Sequence, residues 1–318
     1  MKYSRRWTGF MILLAVLVVL AVSAVLSVVI IRYRGTPYSV LDNYQNLNAF
    51  PVTIGSGTER SPPERRAVVS ALYSDGFAIA AALLGHSARS ANSVWPDGSH
   101  TPVPLIPPPH EGKDIHPRFM DQYTKLNIWN LDQKGIDSAV YLDADTLVRR
   151  NFDELFDSPF NFAAVPDVYA YKDPRGFSLS FNAGVLAFRP STAIYEDMRE
   201  KMEVADYPLL QAEQAFLNLY FGGTSMRLPY IYNANLAIKA RSSVLWQRLT
   251  NEIRVVHYTV QKPFLHNARS ADTLLTFEEM KEAMNQNESG YYQEEMAWWR
   301  AAYRSMMSEH RQAMLKCY

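Results

Sequence analysis

Cysteine is nearly missing from this chain. One residue in 318, Cys317, carries a thiol, so neither a disulfide framework nor a thiolate metal cluster can be built from it. Cys317 is left as an idle thiol or as a partner for another chain. Charge of one sign is missing too. Lysine and arginine total 32, aspartate and glutamate total 32, and the formal net charge is zero. A nucleic-acid binder leaves a basic footprint, and this sequence has none. No internal repeat is found, which argues against a solenoid or propeller. A chain of this length still supports a sizeable core as one large domain or two small ones.

A long uncharged run is present. Trp7 to Ile31 has no charged residue, with Lys2, Arg5 and Arg6 before it and Arg32 and Arg34 after it. Such a run suffices to cross a hydrocarbon core of about 30 Å. The expected layout is a cytoplasmic tail at 1–6, a transmembrane signal anchor at 7–31, a stem at 32–64 and a lumenal domain from 65 to 318. A cleaved signal peptide is the rival, although its apolar region is usually shorter. That layout implies a single-pass type II protein of the Golgi or another secretory-pathway membrane, and the sequon Asn287-Glu288-Ser289 is compatible with it.

From residue 65 the texture changes. Strands are expected at Ala67–Tyr73, Val103–Ile106, Ser138–Leu142, Phe162–Val165, Gly184–Phe188 and Ile253–His257. Helices are expected at Phe77–Arg89, Pro117–Leu131, Thr192–Val204 and Gln211–Phe221, and a helical part from about 270. Strands alternating with helices predict an α/β sheet, mostly parallel and covered on both faces. Met296, Trp299, Tyr303 and Met306 fall at helical spacing. They form a core-facing seam or, less simply, a docking stripe for an acceptor.

Three features carry chemistry. The strand SAVYL runs into Asp143-Ala144-Asp145, two carboxylates at i and i+2 that a strand would point to one side. Beyond a strand's carboxyl end, such a pair suits a divalent cation carrying nucleotide phosphates; a solvated turn is the plain alternative. His257 ends a second apolar strand, as a core histidine or as a third ligand. An imidazole among carboxylates favours Mn²⁺ over Mg²⁺. Lys262 follows, placed to offset charge on a diphosphate if it lies near the metal, and otherwise an ordinary surface lysine.

The runs VVSALYSDGFAIAAALLGHS, DQYTKLNIWNL, AVYLDADTLVRRNFDELF, FNAGVLAFRPS, AEQAFLNLYF, LPYIYNANL and VVHYTVQKPF span about Ala67 to Phe264 in order. Together they resemble glycosyltransferase family 8, which includes glycogenin and galactinol synthase. The anchored, proline-stemmed layout looks like its fungal secretory-pathway members. The resemblance implies a GT-A-type fold, a Rossmann-like mixed sheet flanked by helices. It also implies retaining transfer of a sugar from a UDP-sugar (glucose, galactose or N-acetylglucosamine) to a hydroxyl of a glycan, glycoprotein or small polyol. By position it implies Asp143, Asp145 and His257 as Mn²⁺ ligands, with Ala144 between the aspartates. Lys262 would meet the diphosphate, and Tyr73, Ser74 and Phe77 the uridine. Lys125 and Asn182 would contact the donor. Glu213, followed by Gln214, would lie near the anomeric carbon.

Two departures stand out. Tyr258-Thr259-Val260-Gln261 precede Lys262 where the family usually has Gly-Ser. The interval between Arg89 and Lys125 offers Val103–Ile106 as its one strand, so about one βα unit is expected to be absent. An inactive, anchored nucleotide-sugar or glycan binder is therefore the competing reading.

Overall fold

The computed structural model describes residues 11, 14–23, 25, 61–93, 102–169, 173–265, 276–286 and 290–317. Two compact units divide the chain, Met1–Tyr44 and Gln45–Tyr318. In the first, residues 14–23 are helical and exposed. Among the described residues no helix is long and apolar enough to cross a membrane. Ten helical residues rise roughly 15 Å, about half of a hydrocarbon core. This overturns the anchor expected over 7–31, and with it the type II orientation and the Golgi lumen as location. The rest of that run, the tail at 1–6, stem residues 32–60 and the sequon at 287–289 lie outside the described residues.

Among its described residues the second unit holds eight strands: β1 Arg66–Val69, β2 Ser138–Leu142, β3 Thr146–Val148, β4 Phe162–Val168, β5 Phe177–Phe188, β6 Met226–Arg227, β7 Ala234–Asn235 and β8 Val255–His257. Its helices are α1 Ala78–Ser90, α2 Thr192–Val204, α3 Ala212–Phe221, α4 Leu236–Arg241, α5 Ser243–Leu249, α6 Phe277–Gln286 and α7 Gln293–Cys317. The stretch expected as a helix at Pro117–Leu131 is instead two runs of 3-10 turns, Pro117–Phe119 and Gln122–Lys134.

One sheet has the order β1-β2-β5-β4-β6, the other β3-β8-β7. The larger sheet is mixed rather than mostly parallel. β1–β2 and β4–β6 run parallel, whereas β2–β5 and β5–β4 run antiparallel. Alternation along its strands makes two cores. Val140, Leu142, Val185 and Ala187 face one cluster with α1 and α7. Ala139, Tyr141, Leu186 and Phe188 face the other, with Trp129, α2 and α3. Covering both faces excludes water most completely from the middle of the sheet, where β2 is buried at all five positions and β4 at all seven.

β1 pairs only with β2 among the described strands. The strand expected at Val103–Ile106 does not form; the segment is irregular, with Ile106 buried and its N–H donated to Thr124 Oγ1 at 3.0 Å. Pro102 and Pro104 flank Val103 and have no N–H to offer a ladder.

Helix α7 closes the fold. Met296, Trp299, Tyr303 and Met306 are all buried, so the stripe is a core-facing seam. At its start Glu295 is fully buried, and both carboxylate oxygens accept from Lys239 Nζ at 2.8 Å. Trp246 Nε1 donates to the same carboxylate, and Tyr258 Oη donates to the Glu295 carbonyl, each at 2.8 Å. A buried charge without these partners would be costly to hold.

Candidate active site

The Asp143–Asp145 segment is the turn joining β2 to β3, and hence one sheet to the other. It is not strand, as the i and i+2 argument supposed. Backbone bonds fix it from both sides. Asp143 N donates to Gly184 O on β5 at 2.8 Å, and Tyr258 N, just past β8, donates to Asp145 O at 3.0 Å. The β3–β8 register sets Thr146 opposite His257, which brings the imidazole beside the turn. One donor atom each from Asp143, Asp145 and His257 lies within 4.8 Å of the other two. His257 Nε2 is 3.2 Å from Asp145 Oδ1 and 3.9 Å from Asp143 Oδ2.

The other ring nitrogen orients the histidine. Nδ1 lies 2.9 Å from Asn233 Oδ1, while Asn233 Nδ2 donates to Asn182 Oδ1 at the same distance. With the Asn233 carboxamide committed in that sense, Nδ1 is the donor, and Nε2 faces the carboxylates. A neutral Nε2 lone pair beside two carboxylates is repulsive unless a proton or a cation lies between them. The donor set therefore fits a divalent cation: two carboxylate oxygens and one oriented imidazole.

Around this trio lie two buried networks. Lys125 Nζ, on the 3-10 run, donates to Glu213 Oε1 at 2.8 Å and to Ala183 O at 3.2 Å, and sits 3.3 Å from Asp143 Oδ1. Burial alone would lower the Lys125 ammonium, but Asp143 and Glu213 outweigh it and hold it well above the ordinary lysine value. Burial raises the Glu213 carboxyl, and Lys125 opposes that rise. The second Glu213 oxygen, Oε2, is buried with no hydrogen-bond partner among the described residues. Ala212, immediately before it, has φ +45°, a left-handed backbone that costs a side-chain-bearing residue about 1–3 kcal/mol. Asp143 also accepts from Tyr141 Oη at 2.7 Å.

The second network is centred on Asp167, which no motif or spacing singled out. Its carboxylate accepts from Asn182 Nδ2 at 3.2 Å and Gln214 Nε2 at 3.0 Å. Burial raises its pKa, and bonds from the Val168 N–H, Gln214 and Asn182 oppose this. The β4–β5 register shifts on either side of Pro166. Proline cannot donate to a ladder, and the resulting bulge re-aims the next side chain. Asn233 was equally unannounced, although it lies in the run LPYIYNANL.

The expected residues thus mostly converge. Asp143, Asp145, His257, Lys125, Glu213, Gln214 and Asn182 form one connected set. Lys262 Nζ pairs with Asp145 Oδ2 and donates to Tyr258 O at 2.8 Å, so it belongs to the trio's own shell. Tyr73 has a buried hydroxyl whose pKa is raised, chiefly by burial, with charge effects from Lys125, Glu213 and Asp143. Ala144 is buried between the aspartates. Phe77 instead packs edge-on against Phe264, with centroids 5.1 Å apart, and Ser74 opens the 3-10 turn Asp75–Phe77 without capping it by its side chain. A groove of about 490 Å³, whose lining includes Ile194, Phe216 and Tyr220, contains none of this set; convergent charge, not cavity size, marks the site.

Gly184 is the tightest position. A Cβ there would lie 2.3 Å from His257 Cε1, 2.7 Å from Nδ1 and 2.8 Å from Asn182 Oδ1. Gly184→Ala is expected to push the imidazole off Asn233 and weaken divalent-metal binding by tenfold or more, by the ~10–100-fold cost of disturbing an outer-shell partner. Calorimetric metal titration of both proteins checks this, and equal affinities would refute it.

Residues 111–268 match the family described as Glycosyl transferase family 8. Galactinol synthase 1 of Ajuga reptans is 30% identical over 201 residues, covering 53% of this chain and 58% of that protein. Galactinol synthase 4 of Arabidopsis thaliana is 27% identical over 277 residues, covering 70% and 80%. Glycogenin of Neurospora crassa is 30% identical over 168 residues, covering 52% and 22%. The chain thus spans little more than half of the first relative's length and about a fifth of glycogenin's. Among solved structures, apo-form glycosyltransferase GlyE of Streptococcus pneumoniae TIGR4 overlays with a TM-score of 0.48 at 16% identity, covering 79% of this chain and 64% of that one. The segment that matches the glycosyl transferase family 8 model, just under half of the chain, holds the trio, both buried networks and Lys262.

Proposed function

We propose that this chain transfers a sugar from a UDP-sugar to an acceptor hydroxyl, with retention at the anomeric carbon. One observation carries the reading: Asp143, Asp145 and His257 converge beside a buried Lys125–Glu213 pair. The trio would hold Mn²⁺, which the imidazole favours over Mg²⁺. When bound, that ion supplies charge neutralisation on the diphosphate leaving group. Lys262 supplies a second positive charge on the same side. Glu213, kept paired by Lys125, faces developing positive charge at the sugar with its unpartnered oxygen. Asn182 and Gln214, tethered to Asp167, orient sugar hydroxyls. Tyr73, Ser74 and Phe77 form the base-binding loop. The glucose, galactose and N-acetylglucosamine donors share this scheme, and the acceptor is a glycan, a glycoprotein or a small polyol.

A second reading, a nucleotide-sugar binder without turnover, draws on one observation. β1 has a strand neighbour on one side only among the described residues, which thins the wall of the base site. The two readings separate in one experiment. The full chain is incubated with Mn²⁺ and each UDP-sugar, following UDP release and the melting temperature. Binding at 100-fold over Kd stabilises by about 2.7 kcal/mol, several degrees for a chain of this size. Mn²⁺-dependent UDP release with one donor supports transfer. A thermal shift without release supports binding alone. Neither shift nor release with any donor overturns both.

A further inference from the structure

A second group of metal-ligating side chains lies outside this site. His86 on α1 and Glu309 and His310 on α7 each offer one donor atom, all within 4.8 Å of one another. His86 is buried, which fixes one ligand on a rigid helix. Adjacent residues on a helix diverge by about 100°, yet Glu309 and His310 converge here. The His310 ring meets the His86 ring edge to face at 5.6 Å, and Glu309 Oε2 is 3.9 Å from His310 Nε2. Ser305, one turn earlier, places its hydroxyl 3.2 Å from His86 Nε2 and 3.3 Å from Glu309 Oε1. A groove of about 150 Å³ lined by His86, Ser305 and Arg149 opens beside them.

We propose that His86, Glu309 and His310 bind a borderline transition-metal ion of the Zn²⁺ class and thereby fasten the C-terminal helix α7 to α1. Two imidazoles and one carboxylate are a donor set that Zn²⁺ accepts, with bonds of about 2.0–2.2 Å. Such bonds need donor atoms closer together than 4.8 Å. Glu309 and His310 can supply the movement, because their side chains are 57% and 54% exposed. His86 meets the remaining need, an available lone pair. Burial favours the neutral ring, with Glu309 opposing this and His310 and Arg89 assisting. The site is independent of the transfer chemistry, since none of its residues contacts the Asp143–Asp145–His257 set.

The test uses the full chain with Zn²⁺ as the probe. Asp143→Asn with Asp145→Asn disables the first trio, and bound zinc is then counted after dialysis. About one equivalent is expected to remain, with a raised melting temperature. Adding His310→Ala should weaken it by tenfold or more, and Glu309→Gln by less. In a parallel arm without the double asparagine change, His310→Ala should take bound zinc from about two equivalents to one. Co²⁺ substitution should give visible absorption that His310→Ala removes. Zinc retained undiminished after His310→Ala, or none bound in either arm, overturns the proposal. Both exposed positions can be changed without touching the core, so a folded variant is expected in each case.

Discussion

Asp145→Asn is expected to reduce kcat/KM for the donor by about a thousandfold while the chain stays folded. The change is nearly isosteric, so packing is kept and the charge alone is lost. Asp145 is buried and faces the Lys262 ammonium and the His257 imidazole. Burial would raise its carboxyl, but Lys262 and His257 more than reverse this and hold it far below the ordinary carboxylate range. An asparagine offers a neutral oxygen to a divalent ion and leaves Lys262 without its anion. Removing one stabilising group from a charge-developing centre costs about 10²–10³ in rate, and loss of a hard anionic ligand adds to that. Half-saturation by Mn²⁺ should therefore rise together with the fall in turnover. Stability carries a matching signature in metal-free buffer. A depressed carboxylate stabilises the fold fully above its unfolded value near 3.8 and loses this progressively as pH falls from there towards the far lower folded value. The melting-temperature gap between the two proteins should be open at neutral pH and narrow towards pH 3. Steady-state kinetics at several Mn²⁺ concentrations read the main effect. Rates within tenfold of each other would remove Asp145 from the machinery.

The sequence disclosed the site better than it disclosed the sheet. Asp143 and Asp145 follow a mostly apolar, fully buried strand, and His257 ends another, so both sides of the trio could be placed from hydrophobic runs and turns. Strand direction was not legible in this way. β2 and the inner half of β5 are buried on both faces, so they read as continuous apolar runs, the pattern of a parallel strand. Their antiparallel pairing is set by the long connection between them, which has no local signature. Val103–Ile106 failed as a strand because alternate prolines remove ladder donors, a local rule that periodicity overrode. Asp167 was invisible for a related reason. Pro166 marks it as a break, and a single aspartate carries no spacing, yet the bulge is what turns it towards Asn182 and Gln214. Asn233 was hidden because its role is to bond His257 Nδ1, and an outer partner has no composition cue. The anchor expected at 7–31 rested on hydropathy, and among the described residues no helix has the required length.

Lys125→Met is expected to cost about 3–5 kcal/mol of stability, the range for breaking a buried ion pair from one side, and to abolish transfer. Methionine fills similar volume, so the loss is of charge rather than of packing. Lys125 is the cation common to Glu213 and Asp143, with Nζ 2.8 Å and 3.3 Å from their oxygens. Without it, burial is left to act on Glu213 unopposed except by weaker backbone bonding, and its carboxyl, already raised, moves further up. The sign follows from linkage. When the folded state holds a proton that the unfolded state releases, stability falls as pH rises through the unfolded value, near 4.5 for glutamate. The deficit of Lys125→Met should accordingly be largest near pH 8 and shrink towards pH 5. The loss corresponds to a drop of roughly 10 °C in melting temperature for a domain of this size. Lys125→Met combined with Glu213→Gln should regain part of the lost stability, since a neutral buried pair avoids the stranded charge. It should regain no turnover, because in the proposed scheme residue 213 then presents no anion to the sugar. Thermal unfolding across that pH range, run on both variants, separates a charge effect from a packing effect. A pH-independent deficit, or a double variant less stable than Lys125→Met alone, would mean that Lys125 holds the core by its hydrocarbon stem and not by its charge.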